Sequence, residues 1–112
     1  MKILHNPRCR KSRETLQIIE DKGVKVEVVK YLEQPPSSEE LKAIVTKLGC
    51  SVTDIVRKGE SIYKEEFKGK EIDNEEWFTI LSKNPKLIER PIVIKQNKAI
   101  VGRPPENVLE LL

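Results

Sequence analysis

The chain has few of the residues that small proteins use as staples or cofactor ligands. Among its 112 residues are two cysteines, one histidine, one tryptophan, two tyrosines and two phenylalanines. Two cysteines exclude a disulfide scaffold. Cys9, Cys50 and His5 are the only soft metal ligands, short of the four Cys/His ligands at set spacings that structural zinc takes, so no metal is expected. No apolar run approaches the roughly 20 residues that a membrane span needs. The opening Met1-Lys2-Ile3-Leu4-His5-Asn6-Pro7 reaches an imidazole and a proline before any apolar stretch forms. It is therefore not read as a signal peptide, and a cytoplasmic chain with reduced thiols is expected. No repeat and no low-complexity segment is present, which sets aside solenoids and linkers.

What the chain does have is charge, distributed unevenly. Its 21 Lys and Arg against 18 Asp and Glu give a net +3, too small a total to mark a nucleic-acid binder. Between Met1 and Arg13, however, stand Lys2, Arg8, Arg10, Lys11 and Arg13 and no acid. The excess gathers around Cys9. The length fits one domain over 1–112, able to bury about two-thirds of its unfolded surface.

The pattern of elements is α/β. Lys2 to His5 reads as a short strand stopped by Asn6-Pro7. A helix follows from about Arg8 to Lys22, with Leu16, Ile18 and Ile19 as its stripe and Gly23 as its end. Val24 to Val29 alternates as a strand, with Val24, Val26 and Val28 on one face. Pro35-Pro36 stops the chain, and Ser37 with Glu40 forms a capping box for a helix carrying Leu41, Ile44, Val45 and Leu48. A short helix is expected over Val52 to Arg57. Another opens at Asp73 with Glu76, carries Trp77, Ile80 and Leu81, and closes at Asn84-Pro85, so that about 37–84 is a helical insert. Pro91 to Lys95 and Lys98 to Val101 form a hairpin about Gln96-Asn97. Pro104-Pro105-Glu106 starts a terminal helix with Val108, Leu109, Leu111 and Leu112 as its buried side. The order, β-α-β, helical insert, β-β-α, is that of a thioredoxin-like mixed sheet.

Cys9 is placed where the first strand hands over to the first helix. Free backbone N–H groups and the helix dipole favour an anion there, and Arg8, Arg10, Lys11 and Arg13 are expected to favour a thiolate further. An isolated cysteine is otherwise a small packed residue, but such a residue has no need of four cations within four positions. Cys9-Arg10-Lys11-Ser12 is C-x-x-S, so an oxidised Cys9 needs an external thiol to resolve it. Ser12 either donates to the Cys9 sulfur or only caps the helix, and His5 supports the thiolate or holds a water. Six residues after Cys9 stands Thr15, which excludes the C-x5-R phosphate loop of small tyrosine phosphatases. Cys50, after Gly49, reads as a packed residue rather than a resolving thiol. Pro91 is the candidate for the cis-proline that faces the active cysteine in thioredoxin-like chains, which would turn Arg90 toward Cys9. Arg57, Arg90 and Arg103 are each ordinary surface arginines unless they share a target, and a tetrahedral dianion would be one.

These segments together resemble a known family. His5-Asn6-Pro7-Arg8-Cys9-Arg10-Lys11-Ser12-Arg13 is similar to the His-Asn-Pro-x-Cys-x-x-Ser-Arg signature of the glutaredoxin-coupled arsenate reductases. The likeness continues through Tyr31-Leu32-Glu33-Gln34-Pro35-Pro36, Val56-Arg57-Lys58, Arg90-Pro91-Ile92-Val93 and Gly102-Arg103-Pro104. It implies a thioredoxin-like fold with Cys9 as nucleophile, His5 as thiolate support, and Arg57, Arg90 and Arg103 as oxyanion-binding residues. It further implies attack of Cys9 on arsenate, glutathione as co-substrate, glutaredoxin as resolving partner, release of arsenite, and no tightly bound cofactor. One departure is specific to this chain: Arg8, Arg10 and Lys11 stand where the family's well-studied members have small residues, and such cations would suit a more negative or bulkier ligand. Two alternatives share the resemblance. One is a glutathione-dependent thiol reductase acting on another substrate; the other is an Spx-type regulator that binds RNA polymerase. The latter switches through a C-x-x-C disulfide, for which Ser12 removes the second sulfur.

Overall fold

The computed structural model describes residues 1–112. The chain divides into two compact units, Met1–Gln34 with Arg90–Leu112, and Pro35–Glu89.

The first unit is built on a four-stranded sheet of order β2-β1-β3-β4, where β1 is Lys2–His5, β2 Glu27–Lys30, β3 Ile92–Lys95 and β4 Lys98–Val101. The central β1 buries Ile3, Leu4 and His5 and leaves only Lys2 partly exposed, as a strand paired on both sides requires. It pairs parallel with β2 (Leu4 opposite Val29) and antiparallel with β3 (Ile3 opposite Val93). The two-residue turn Gln96-Asn97 then returns the chain into β4. Helix α1, Arg10–Asp21, crosses between β1 and β2. Ile3, Ile19, Val93, Val108 and Leu111 form the buried cluster between sheet and helices. Met1, Leu16, Ile18, Val24, Val26 and Ile100 pack around it.

Three boundaries differ from the sequence expectation. Helix α1 starts at Arg10 rather than Arg8, because residues 6–9 are spent on a turn in which Cys9 N–H donates to the Asn6 carbonyl at 3.0 Å. The second strand is Glu27–Lys30, not 24–29. It is an edge strand whose only partner is β1, and its ladder begins where Glu27 N–H meets the Met1 carbonyl at 2.9 Å. Val24 and Val26 therefore pack on the core ahead of the strand, while Val28 is exposed. The terminal helix, Pro105–Leu111, is 3₁₀ throughout. A period of three residues stacks Pro105, Val108 and Leu111 on one buried face. Leu109 and Leu112, expected on the buried side of an α-helix, are 46% and 37% exposed.

The second unit holds α2, Ser38–Leu48, and α3, Asn74–Lys83, packed against each other. The expected capping box is present: Ser37 Oγ accepts from Glu40 N–H at 3.1 Å, and Glu40 Oε1 accepts from Ser37 N–H at 3.2 Å. Asp73 caps α3 in the same manner, accepting from Glu76 N–H at 2.8 Å. The short helix expected over 52–57 is a 3₁₀ turn ending at Ile55. Val56 leaves it to form a single bridge with Ile88, and Arg57 N–H donates to the Leu87 carbonyl at 2.7 Å. A π-helical turn at Tyr63–Phe67, which the sequence pattern did not indicate, sets Tyr63 and Phe67 against the Trp77 ring at centroid separations of 6.3 and 5.8 Å.

The 3₁₀ register of the C-terminal segment has a direct test. Leu111→Ala is expected to lower unfolding free energy in urea by about 2–4 kcal/mol, whereas Leu109→Ala changes it by less than about 0.5 kcal/mol. Equal losses in the two variants would favour an α-helical register instead.

Candidate active site

The site is assembled around the handover from β1 to α1. Asn6 organises it with its N–H, its carbonyl and its Oδ1. Its carbonyl accepts from Cys9 N–H, its Oδ1 accepts from Arg8 N–H at 3.0 Å, and its N–H donates to Ser12 Oγ at 3.0 Å. This is an Asx-type turn, and it leaves Cys9 as the N-cap of α1 in extended conformation (φ −94°, ψ 122°). The sequence signal was the Asn-Pro pair, which marked a chain break but not the three bonds that Asn6 makes.

His5 and Ser12 are both buried, with His5 Nδ1 and Ser12 Oγ 2.6 Å apart. Burial holds the His5 pKa below its ordinary value, helped by the positive charges of Lys30 and Arg13 and opposed by Glu20. Ser12 Oγ accepts from Asn6 N–H and shares a hydrogen bond with His5 Nδ1, whose direction follows the imidazole tautomer. Ser12 lies inside the first turn of α1, so it is not the N-cap, which is Cys9. The Cys9 sulfur is met by the Ser12 backbone N–H.

Two arginines from the far end of the unit complete the sulfur's surroundings. Arg90 donates a side-chain hydrogen bond to Cys9. Arg103 Nη2 lies 3.6 Å from Cys9 Sγ, and Arg103 Nε donates to the Arg90 carbonyl at 2.8 Å. The Arg90–Pro91 and Arg103–Pro104 peptides are both cis. Cys9 is 9% exposed. Burial is the largest influence on its pKa and pushes it up. The Ser12 N–H, the Arg90 hydrogen bond and the charges of Arg90 and Arg103 together outweigh it, so the thiol sits below its ordinary value. The basic run beside Cys9 plays a smaller part than its density suggests. Arg8, Arg10, Lys11 and Arg13 are all exposed, Arg10 is paired with Glu14 at 2.8 Å, and Arg13 donates to the Pro7 carbonyl at 3.0 Å. Solvent screens charges so placed.

Arg57 and Cys50 belong to the second unit. There the Arg57 guanidinium is held by two carboxylates, Glu89 at 2.8 Å and Glu60 at 3.3 Å. Cys50 follows the C-terminus of α2, and burial, with Asp54 adding to it, pushes its thiol above the ordinary value. The two cysteines are therefore opposite in character.

The profile of the ArsC family matches residues 4–111. The chain belongs to the ArsC family. It is 45% identical to a protein of Neisseria meningitidis serogroup A named arsenate reductase, over all of this chain and 97% of that one. It is equally, at 45%, identical to the protein YfgD of Escherichia coli K12, described as uncharacterized, over all of this chain and 96% of that one. The solved structure of an arsenate reductase from Vibrio cholerae superposes with a TM-score of 0.94 at 46% identity, covering all of this chain and 98% of that one. The thioredoxin-like fold expected from the order of elements is thus the fold of this ArsC-family chain.

The opposed shifts of the two thiols predict selective labelling. As pH is raised from 5, iodoacetamide should modify Cys9 at a lower pH than Cys50, read by peptide mass spectrometry. The low-pH phase is lost in Cys9→Ala and kept in Cys50→Ala. Labelling of both cysteines with one midpoint would contradict the site geometry.

Proposed function

We propose that this ArsC-family chain is an arsenate reductase in which Cys9 is the nucleophile and glutathione and glutaredoxin supply the electrons. The observation that carries the reading is the pair of guanidinium groups on one sulfur, with Arg90 hydrogen-bonded to Cys9 and Arg103 Nη2 at 3.6 Å. Such a pair favours the thiolate in the free protein. It also offers planar donors to an oxyanion brought against that sulfur, which suits a tetrahedral dianion. The names carried by close relatives support arsenate as that anion.

The proposed chemistry balances in four steps. The Cys9 thiolate attacks arsenic, an S–As bond forms, and one oxygen leaves as water after protonation. No electrons are transferred in this substitution. Glutathione displaces a second oxygen, again as water. The thiol of glutaredoxin then takes the glutathione sulfur as a mixed disulfide, leaving an electron pair on arsenic, which passes from As(V) to As(III). Water finally hydrolyses the remaining S–As bond, releasing arsenite and regenerating Cys9. The C-x-x-S arrangement suits this route, since Ser12 offers no sulfur to resolve Cys9 internally.

The resemblance assigns Arg57 a share in oxyanion binding. Its present partners are Glu60 and Glu89, so binding an oxyanion would require Arg57 to exchange those carboxylates for it. His5 acts through Ser12: it fixes the first turn of α1, and that turn presents the Ser12 N–H to sulfur.

The test is arsenate-dependent NADPH oxidation with glutathione, glutaredoxin and glutathione reductase. Cys9→Ala is expected to fall to background. Arg103→Ala should lower kcat/KM by about 10²–10³, the usual effect of removing one donor to a reacting anion. Absence of arsenate-dependent turnover with Cys9 shown to be reduced would sink the proposal and leave the thiol reductase reading, for which a glutathione adduct on Cys9 is the signature.

A further inference from the structure

Position 15 is where a C-x5-R loop beginning at Cys9 would carry its arginine, and this chain has threonine there. Thr15 is fully buried on α1, and its Oγ1 donates to the Lys11 carbonyl at 2.8 Å. That bond, with the stiffness of a β-branched side chain, fixes its rotamer. Against it lies Gly102, the buried residue between the end of β4 and Arg103. A Cβ placed on Gly102 would stand 2.5 Å from Thr15 Oγ1, 3.1 Å from Thr15 Cγ2 and 2.7 Å from Pro91 Cγ. The same residue donates its N–H to the Pro91 carbonyl at 2.9 Å. The backbone at 102 is therefore pressed onto α1 and onto the Pro91 ring, with room for a hydrogen and nothing larger.

We propose that the Thr15–Gly102 contact is the gauge that sets how closely Arg103 approaches Cys9, which makes Gly102 a positioning residue for the reactive sulfur and Thr15 its counterpart on the helix. Cys9 caps the helix that carries Thr15 and is tied to its first turn by the Arg13 N–H bond to the Cys9 carbonyl at 3.0 Å, so the height at which residue 102 rests on Thr15 fixes where residue 103 leaves relative to Sγ. The Arg103 side chain has little freedom to compensate, because its Nε is held to the Arg90 carbonyl and its Nη2 reaches sulfur at 3.6 Å. A methyl group at 102 would have to retreat by about 1 Å to reach ordinary contact distance from Thr15. Retreat on that scale carries the guanidinium off the sulfur. The guanidinium that a phosphate loop would draw from its own helix is thus delivered in this fold from the C-terminal segment, and the Thr15–Gly102 contact registers it. The inference rests on the Cys9–Arg103 contact and not on the identity of the substrate.

The test is the pH profile of Cys9 alkylation by iodoacetamide in the full chain, with folding followed by circular dichroism. Gly102→Ala is expected to move the profile to higher pH and to slow alkylation at pH 7 about threefold to tenfold, toward the rate of Arg103→Ala, since each unit of thiol pKa is tenfold in thiolate. Adding Thr15→Ala to Gly102→Ala removes both γ atoms and should recover about half of that loss or more, the coupling expected of residues in contact. A folded Gly102→Ala protein with the wild-type profile overturns the proposal. So does a slowed profile that Thr15→Ala does not relieve. If Gly102→Ala does not fold, Thr15→Ala alone decides: opening the contact slows alkylation, and an unchanged profile overturns the proposal. No arsenate enters this experiment, so a failure of arsenate turnover leaves its outcome intact.

Discussion

The Arg103 guanidinium holds together parts of the first unit that are far apart in sequence. Its Nε is anchored on the Arg90 carbonyl and its Nη2 reaches Cys9 Sγ across a sequence separation of 94 residues. Three chain breaks converge there: the Asn6–Cys9 turn after β1, the Arg90–Pro91 entry to β3, and the Gly102–Arg103 exit from β4. The sheet order makes this possible, because β1 and β3 are neighbours and β4 folds back on β3. The antiparallel pairing puts the end of β1 beside the beginning of β3, and the hairpin brings the end of β4 back to the same edge. The Cys9 sulfur and its two arginines are thus placed by strand register, which the buried Ile3–Val93 pair locks.

The thiolate at Cys9 is a contest that burial alone would lose for the anion. Desolvation raises the pKa of any buried thiol, and at Cys50, where a carboxylate is the added neighbour, the shift is upward. At Cys9 the same desolvation strengthens the opposing effects, since the Ser12 N–H and the two guanidinium groups act through a medium of low dielectric. Exposed cations have no such advantage. Arg8, Arg10, Lys11 and Arg13 are nearer in sequence but sit in water, where screening reduces them to a diffuse field over the mouth of the site. A partly buried arginine at hydrogen-bond distance outweighs several solvated ones.

That difference marks what was legible in the sequence. Local rules found the elements whose signals are local: Ser37 with Glu40, Asp73 with Glu76, and the Gln96-Asn97 turn between two apolar runs. They also placed Cys9 at the strand-to-helix junction. They credit the thiolate both to the free N–H groups of the helix start, of which the Ser12 N–H does meet the sulfur, and to the neighbouring cations, which are solvated. Arg90 is turned toward Cys9 only by the thioredoxin-like analogy at Pro91, and Arg103 gains its role only from the family resemblance, since no periodicity in 90–104 says where those side chains go. The other misreadings have equally definite causes. Assuming a period of 3.6 for Pro105–Leu111 assigned Leu109 and Leu112 to the core, when the period of three selects Pro105, Val108 and Leu111. Strand 2 was read as too long because an edge strand extends only as far as its single partner. Gly102 stood in the recognised Gly102-Arg103-Pro104 segment without a role, since a close approach between segments leaves no trace in either one alone.

Helix α1 shows what the site costs the fold. α2 and α3 follow the dipole rule, with Glu39 and Glu40, and Glu75 and Glu76, in their first turns and Lys47 and Lys83 in their last. α1 inverts it, with no acid in its first turn and no base in its last. Each such placement forgoes about 0.3–1 kcal/mol at an exposed position. An aspartate or glutamate beside Cys9 would recover that energy, but it would raise the thiol pKa. The helix therefore draws its stability from its other face, where Ile19 is fully buried in the core and Leu16 and Ile18 pack around it. Packing one turn and more beyond the sulfur thus offsets the unfavourable charges at the helix start, and this lets a positively charged N-terminus persist beside Cys9.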